Sequence, residues 1–176
     1  MGINLSKIKK EDMEHIYRWF SDTGFLKYYD YYPPFPLNKD EVDKIFNDYE
    51  NSNKSKVFAV RLENSIIGVA GFDDMIEENQ VATLFIGLGN ENERGKGYGM
   101  EAMKLLLRYG FINLNFHRIQ LNVLEFNKRA ISLYEKCGFK KEGIFREFVL
   151  RDGKRYNLLL YGLLRNEWIK NKDSEF

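Results

Sequence analysis

Apolar residues recur at i, i+3, i+4 and i+7 twice within the first fifty positions. Met13, Ile16, Tyr17 and Phe20 form the first set and predict an amphipathic helix over 10–20. Val42, Ile45, Phe46 and Tyr49 form the second. They follow Asn38 and Glu41, whose spacing suits a capping box, and predict a helix ending near Glu50. Between them, 25–36 holds all three prolines of the chain among many aromatics, which predicts an extended loop. Amphipathic rings on such a loop suit the wall of a substrate cleft or the cover of a core edge.

The period changes elsewhere. Gly2 to Ile8 alternates as an opening strand would, and 56–62, 65–72 and 80–88 are β-rich runs with short connections, Glu63-Asn64 and Ile76 to Asn79. These predict an antiparallel meander. The last run enters a polar turn and then Arg94-Gly95-Lys96-Gly97-Tyr98-Gly99, after which Met103, Leu106, Leu107, Gly110 and Phe111 mark one face of a helix over 98–111. A strand over 118–124 follows. Strand, helix and strand make a right-handed crossover, so these two strands should be parallel. Asn127 is placed to cap a helix over 128–136 that stops at Gly138. Strands over 143–150 and 155–163 flank an Asp152-Gly153 hairpin turn, and a short helix around 166–170 closes the chain.

Composition adds exclusions. With 176 residues, 44% hydrophobic and 30% charged, the chain reads as one ordinary globular domain. Its formal charge of +1 provides no global field toward nucleic acid or an anionic membrane, so neither is expected as a partner. The single Cys137 excludes an internal disulfide framework, and no apolar run approaches the ~18 residues of a membrane span. A cytoplasmic location is expected.

The candidate chemistry begins at the glycines. Gly95, Gly97 and Gly99 let backbone N–H groups approach a ligand, and the following helix adds free N–H groups and the positive end of its dipole. Arg94 and Lys96 flank this point, so a phosphate or pyrophosphate is the expected guest. The Walker A spacing fails: Gly89 is one residue too far from Gly95-Lys96, and Gly97 stands where a hydroxyl belongs. A dinucleotide fingerprint on Gly97 to Ala102 would follow a meander rather than open a repeated βαβ fold.

Arg94-Gly95-Lys96-Gly97-Tyr98-Gly99 instead resembles the Arg/Gln-x-x-Gly-x-Gly/Ala signature of the GNAT superfamily of N-acetyltransferases. Asn127 to Phe139 is similar to that family's second signature, Asn-x-x-Ala-x-x-Leu-Tyr-x-x-x-Gly-Phe. The hairpin from Gly143 to Asn157 looks like the branch that holds ribosomal-protein and spermidine acetyltransferases. The resemblance covers about 3–168, leaving 169–176 as a tail. It implies an α/β (α+β) fold with a mixed, mostly antiparallel central sheet, flanked by helices and splayed between its fourth and fifth strands.

It also implies acetyl-coenzyme A as cosubstrate and no metal. The pyrophosphate would lie on N–H groups from Gly95 to Met100, and Lys128 or Arg129 could reach the 3′-phosphate. Pantetheine would enter the splay and bond the backbone of Ile86 and Leu88, with Asn127 assisting from the other side; Gly87 and Gly89 are expected to mark the distortion. Tyr134, on periodicity alone a core residue, matches the phenol that protonates the departing thiolate. A base must take the amine's proton. Asp73, Asp74, Glu77 and Glu78 lie near one strand end and Asp30 in the aromatic loop; Asp74 and Asp30 are the candidates. The acceptor is a small-molecule amine or a peptide N-terminus, with a polyamine such as spermidine favoured by Tyr28 to Tyr32. An amino sugar and a non-catalytic sensor of acyl-coenzyme A are the alternatives. Many relatives dimerise or form rings, which allows a homo-oligomer, although no stripe of the sequence marks an interface.

Overall fold

The computed structural model describes residues 2–89, 93 and 95–173. Its framework is a seven-stranded sheet in the order β1-β2-β3-β4-β5-β7-β6. The strands are β1 (Ile3–Ser6), β2 (Lys56–Leu62), β3 (Ser65–Ile76), β4 (Val81–Leu88), β5 (Arg118–Leu124), β6 (Lys140–Arg151) and β7 (Lys154–Leu164). The helices are α1 (Met13–Phe20), α2 (Thr23–Tyr29), α3 (Lys39–Asn51), α4 (Tyr98–Arg108), α5 (Lys128–Lys136) and α6 (Arg165–Asp173). The last of these runs across the boundary expected at 168 and is anchored by Trp168, whose ring lies 5.2 Å from Phe111.

Neighbouring strands are antiparallel except β4 and β5, which run parallel as the crossover requires. Among the described residues their ladder has three rungs, Val81–Arg118, Ala82–Ile119 and Thr83–Gln120. Gln120 Nε2 donates to Thr83 Oγ1 at 3.3 Å where the ladder ends. Beyond that point β4 continues to Leu88 and β5 to Leu124 without pairing, and β5 turns instead wholly to β7. The expected splay is therefore present.

Each face of the sheet has its own core. Ile16, Trp19 and Phe20 of α1, Phe25 and Leu26 of α2, and Val42 and Phe46 of α3 pack on Ala59 and Val69. On the other face Ala102, Met103, Leu106 and Leu107 of α4 and Tyr134 of α5 cover Val60, Phe72, Leu84, Ile119 and Leu121. Burial of these stripes, rather than helix propensity, is what stabilises elements this short.

Several expectations require correction. Thr23–Tyr29 is helical, not an extended loop. Asp22 Oδ1 accepts from Gly24 N at 2.8 Å as an N-cap, and Phe25 and Leu26 are buried. The steric restriction of proline reaches only the residue before it, and the first proline is Pro33.

Gly87 and Gly89 do not mark a register shift either: the β3–β4 ladder is regular from Gly68–Leu88 to Asp73–Thr83. They make room for rings. A Cβ on Gly87 would sit 2.5 Å from Tyr29, and one on Gly89 2.0 Å from Trp19. The irregularity lies in β3 between Asp73 and Ile76, where Asp74 has φ +47°. β3 and β6 also run further than 65–72 and 143–150.

A second bulge interrupts β6. Phe145 opposes Leu158 and Val149 opposes Tyr156, so Arg146, Glu147 and Phe148 together face Asn157. Glu147 has φ +53°, and its N–H donates to Asn157 Oδ1 at 2.9 Å. At the hairpin tip Asp152 and Gly153 both have positive φ, 50° and 75°, as a type I′ turn demands.

Candidate active site

The fork between β4 and β5 is built by register. Gly89 N donates to Ile67 O at 3.0 Å, which makes 67–89, 69–87 and 71–85 the hydrogen-bonded pairs of the β3–β4 ladder. Leu84, Ile86 and Leu88 consequently turn their N–H and C=O groups away from β3, toward the opening. Their side chains join the core beneath α4.

At one end of the fork stands the glycine loop. Gly95 and Gly97 have φ of +81° and +91°, and a Cβ on either would meet nothing within 4 Å. Their role is conformational. Gly97 O accepts from Met100 N at 2.9 Å and Glu101 N at 3.2 Å, which starts α4. Among the described residues no backbone carbonyl accepts from the N–H groups of Tyr98 or Gly99. Gly99 allows α4 to approach α5: a Cβ there would lie 3.4 Å from Leu133. Lys96 is exposed and paired to Glu93 at 3.1 Å. Arg94 lies outside the described residues.

Tyr134 reaches the fork from α5. It is 7% exposed, and burial pushes its phenol well above the usual tyrosine range. No hydrogen bond to its hydroxyl is present among the described residues, so this protonated oxygen keeps its proton available for a guest. Asn127 caps α5, its Oδ1 accepting from Ala130 N at 3.2 Å. Its Nδ2 donates to Tyr28 O at 3.4 Å, which joins the α5 cap to α2. Arg129 is exposed and makes no ion pair among the described residues.

The acidic and aromatic residues gather beside this fork. The Tyr29 ring lies on Gly87 and stacks on Phe25 at 4.9 Å. Burial raises its phenol, and the charges of Asp30 and Asp73 add to the effect, as does Tyr134. Tyr49 stacks on Phe85 at 5.5 Å and is raised by burial and by Asp73, Asp30 and Asp74. Burial, a hydrogen bond to Tyr32 and the nearby carboxylates push Tyr31 up to about 12. Asp30 and Asp74, distant in sequence, thus bear on the same phenols.

The three carboxylates differ in freedom. Asp73 accepts from Ser55 Oγ at 2.6 Å, Tyr49 Oη at 3.5 Å and Asp74 N at 3.0 Å, and so holds the bulge together. Asp74 is exposed on it. Asp30 is partly buried; desolvation raises its pKa against the N–H groups of Tyr31 and Tyr32 and the charge of Arg151.

Tyr29, one of the rings of Tyr28 to Tyr32, packs on the strand itself rather than on a loop, and one participant, Arg151, has no signal in the sequence as a site residue. Arg151, in a hairpin strand, is 4% exposed and donates from Nη2 to the carbonyls of Asp30 at 2.9 Å and Tyr32 at 2.7 Å. Its burial carries no signal in the alternation of β6. Among the described residues no group of three or more His, Cys, Asp or Glu could hold a metal ion, and no helix is long and apolar enough to cross a membrane.

The sequence profile of the acetyltransferase (GNAT) domain family matches residues 3–140. The spermidine N(1)-acetyltransferase of Vibrio cholerae is 25% identical over 174 residues, 97% of this chain and 98% of that protein. The [ribosomal protein uS5]-alanine N-acetyltransferase of Escherichia coli is 33% identical over 107 residues, 60% of this chain and 55% of that one. The crystal structure of the Vibrio cholerae spermidine N-acetyltransferase in complex with CoA and spermine has a TM-score of 0.87, with 24% identity over 95% of this chain and 98% of that one. Fold, forked sheet and profile agree: the chain belongs to the GNAT family and is an N-acetyltransferase.

Proposed function

We propose that this enzyme transfers acetyl from acetyl-coenzyme A to a primary amine by direct attack in a ternary complex, and that the amine is a polyamine such as spermidine. The observation that carries the reading is the convergence of Asp30, Asp73 and Asp74 on Tyr31 and Tyr49 beside the fork that Tyr134 enters. The spermidine N(1)-acetyltransferase relative, similar along nearly its whole length, supports the same acceptor class.

Acetyl-coenzyme A supplies an activated thioester. The residues present fit it: Tyr98 and Gly99 offer N–H groups to its pyrophosphate, and Arg129 an exposed cation to its 3′-phosphate. The edges of Ile86 and Leu88 face an extended arm lying in the fork. One of those N–H groups polarises a carbonyl placed there.

An alkylamine with pKa near ~10 arrives charged at neutral pH and is drawn by the carboxylates and ring faces. It must lose a proton before it attacks. Asp30, its pKa raised by burial, is a better proton acceptor than an ordinary surface carboxylate and takes it directly or through water, with Asp74 holding the chain of the amine. Tyr134 donates to the departing sulfur.

Thiol release from acetyl-coenzyme A at about pH 8 tests this with spermidine, spermine, an aminoglycoside, a 4-amino nucleotide sugar and peptides with free N-termini. Release with the polyamines alone is the expected result. Release only with peptides would transfer the reading to a protein N-terminus. Binding of acetyl-coenzyme A without release with any amine would favour a sensor.

A further inference from the structure

Asn157 is held more firmly than sheet pairing requires. Glu125 N donates to Asn157 O at 3.2 Å, which continues the β5–β7 ladder one step past Leu124 and Leu158. The other contacts come from side chains. Glu125 Oε1 accepts from Asn157 N at 2.7 Å and Oε2 from Asn157 Nδ2 at 2.9 Å, so one carboxylate spans the main chain and the amide of its partner. Asn157 Oδ1 then accepts from Glu147 N at 2.9 Å. An amide donates on one side and accepts on the other, which is the pair of roles this position demands.

The two ends of this clamp lie on opposite sides of the site. After Glu125 come Phe126, whose ring is 5.6 Å from Tyr28 and 4.9 Å from Tyr156, and Asn127, the cap of the helix that carries Tyr134. Beyond Asn157 is the β6 bulge, where Glu147 has φ +53°, a conformation that side chains rarely adopt and that surrounding contacts must hold. Its neighbour Phe148 sets an edge against Tyr31 at 5.7 Å, next to Asp30. A chain of contacts from Glu125 through Asn157, Glu147 and Phe148 thus reaches the acceptor segment from the end of β5.

We infer that Glu125 and Asn157 are positioning residues for the amine, fixing the β6 bulge so that Phe148 holds Tyr31 at a set distance from the α5 cap. The inference rests on the amine acceptor proposed above and adds what places the outer wall of its cleft. Both oxygens of Glu125 are engaged by N–H groups, so its role is to hold the wall and not to take the amine's proton.

Two readouts test it, steady-state kinetics and nuclear Overhauser contacts between the Phe148 and Tyr31 rings, with circular dichroism to establish that each variant is folded. Asn157→Asp sets oxygen against oxygen at Glu125 and should raise the KM for the amine about tenfold, with kcat and the KM for acetyl-coenzyme A within a factor of about two. Glu125→Gln removes one acceptor and should move the amine KM the same way. Each single exchange should weaken the ring contact. The double exchange Glu125→Gln with Asn157→Asp reverses donor and acceptor: the introduced amide donates to the introduced carboxylate, whose other oxygen still receives the Glu147 N–H. It should restore both the ring contact and the amine KM. Ring contact or amine KM indifferent to both single exchanges overturns the inference, even if Tm falls, because the clamp would then be structural alone. Turnover lost in the double variant while the ring contact returns also overturns it, and would make Glu125 a proton acceptor. If the unchanged enzyme does not acetylate spermidine, the polyamine reading fails by itself; KM is then read for the amine that is accepted, and the ring contact, which needs no substrate, decides the clamp.

Discussion

Arg151 crosses from the β6–β7 hairpin to Asp30, its Nη2 donating to the Asp30 carbonyl at 2.9 Å while the same nitrogen holds Tyr32 O at 2.7 Å. Nη1 donates to Leu150 O at 3.0 Å, and Nε is buried without a partner among the described residues. A guanidinium accepts this incomplete arrangement because its planar fork fastens two carbonyls of the Asp30 to Tyr32 segment to its own strand at once, which an ammonium could not do. Arg151→Lys should cost about 2 kcal/mol and lower Tm by roughly 4–8 °C. The KM for the amine should rise about tenfold while acetyl-coenzyme A affinity stays within a factor of about two. Steady-state kinetics with both substrates varied checks this; an unchanged amine KM would sink the positioning role.

Asp30 carries a stability cost that a functional carboxylate can explain. Its folded pKa lies above the unfolded one, so its contribution to stability is present below about pH 4 and lost as pH rises through the folded value. At neutral pH its charge opposes folding. Asp30→Asn should leave the urea midpoint at pH 7 equal or higher while lowering polyamine turnover about 10²-fold. Turnover equal to that of the unchanged enzyme would remove Asp30 from the chemistry.

Tyr134→Phe deletes a hydroxyl that no described residue holds, so Tm should change by no more than about 2 °C. Turnover should fall about 10²–10³-fold, with acetyl-coenzyme A binding preserved in calorimetry. Loss of binding instead would place the phenol in affinity.

Gly97, at φ +91°, holds the N–H groups at the start of α4 where any side chain is strained although space is open. Gly97→Val should weaken acetyl-coenzyme A binding about tenfold or more before it affects the chemical step. A substitution that lowers turnover alone, with the dissociation constant intact, would contradict this.

Three raised phenols make an alkaline prediction. Tyr29, Tyr49 and Tyr134 all favour the neutral form in the fold. Their folded pKa values exceed the unfolded value near 10, so stability is complete below about pH 10 and is lost above it, by up to about 1.4 kcal/mol per pH unit and group. Urea titrations from about pH 9 to about pH 11.5 measure the slope, and Tyr134→Phe should make it shallower.

Legibility followed the range of the interactions. The strands over 56–62 and 118–124 and the helix over 128–136 were read within a residue or two, because their periods and caps are local. The parallel pairing of β4 and β5 came from connection length. The positive φ at Gly95 and Gly97 is likewise a local demand that glycine meets. What failed was non-local. The prolines concealed α2, whose reason for folding is the pocket that receives Phe25 and Leu26. Gly87 and Gly89 looked like strand irregularities, and only the rings laid over them explain their lack of a side chain. Asp12 and Arg61 form a buried pair at 2.6 Å, with Ser6 Oγ accepting from Arg61 Nε, and nothing in either neighbourhood announced it. The aromatic–acidic composition of Tyr28 to Tyr32 was legible, but its anchor Arg151 was not.

The three rungs between Thr83 and Gln120 divide the sheet into two plates sharing a short seam. Beyond the seam the amide of Ile86 lacks the strand that would shield it, so it should exchange with solvent fast for a residue at the heart of a sheet. An extended guest in the fork would supply that shield and couple the plates. Acetyl-coenzyme A should therefore slow exchange on both sides of the seam together, acting as a temporary strand in the protein's own architecture.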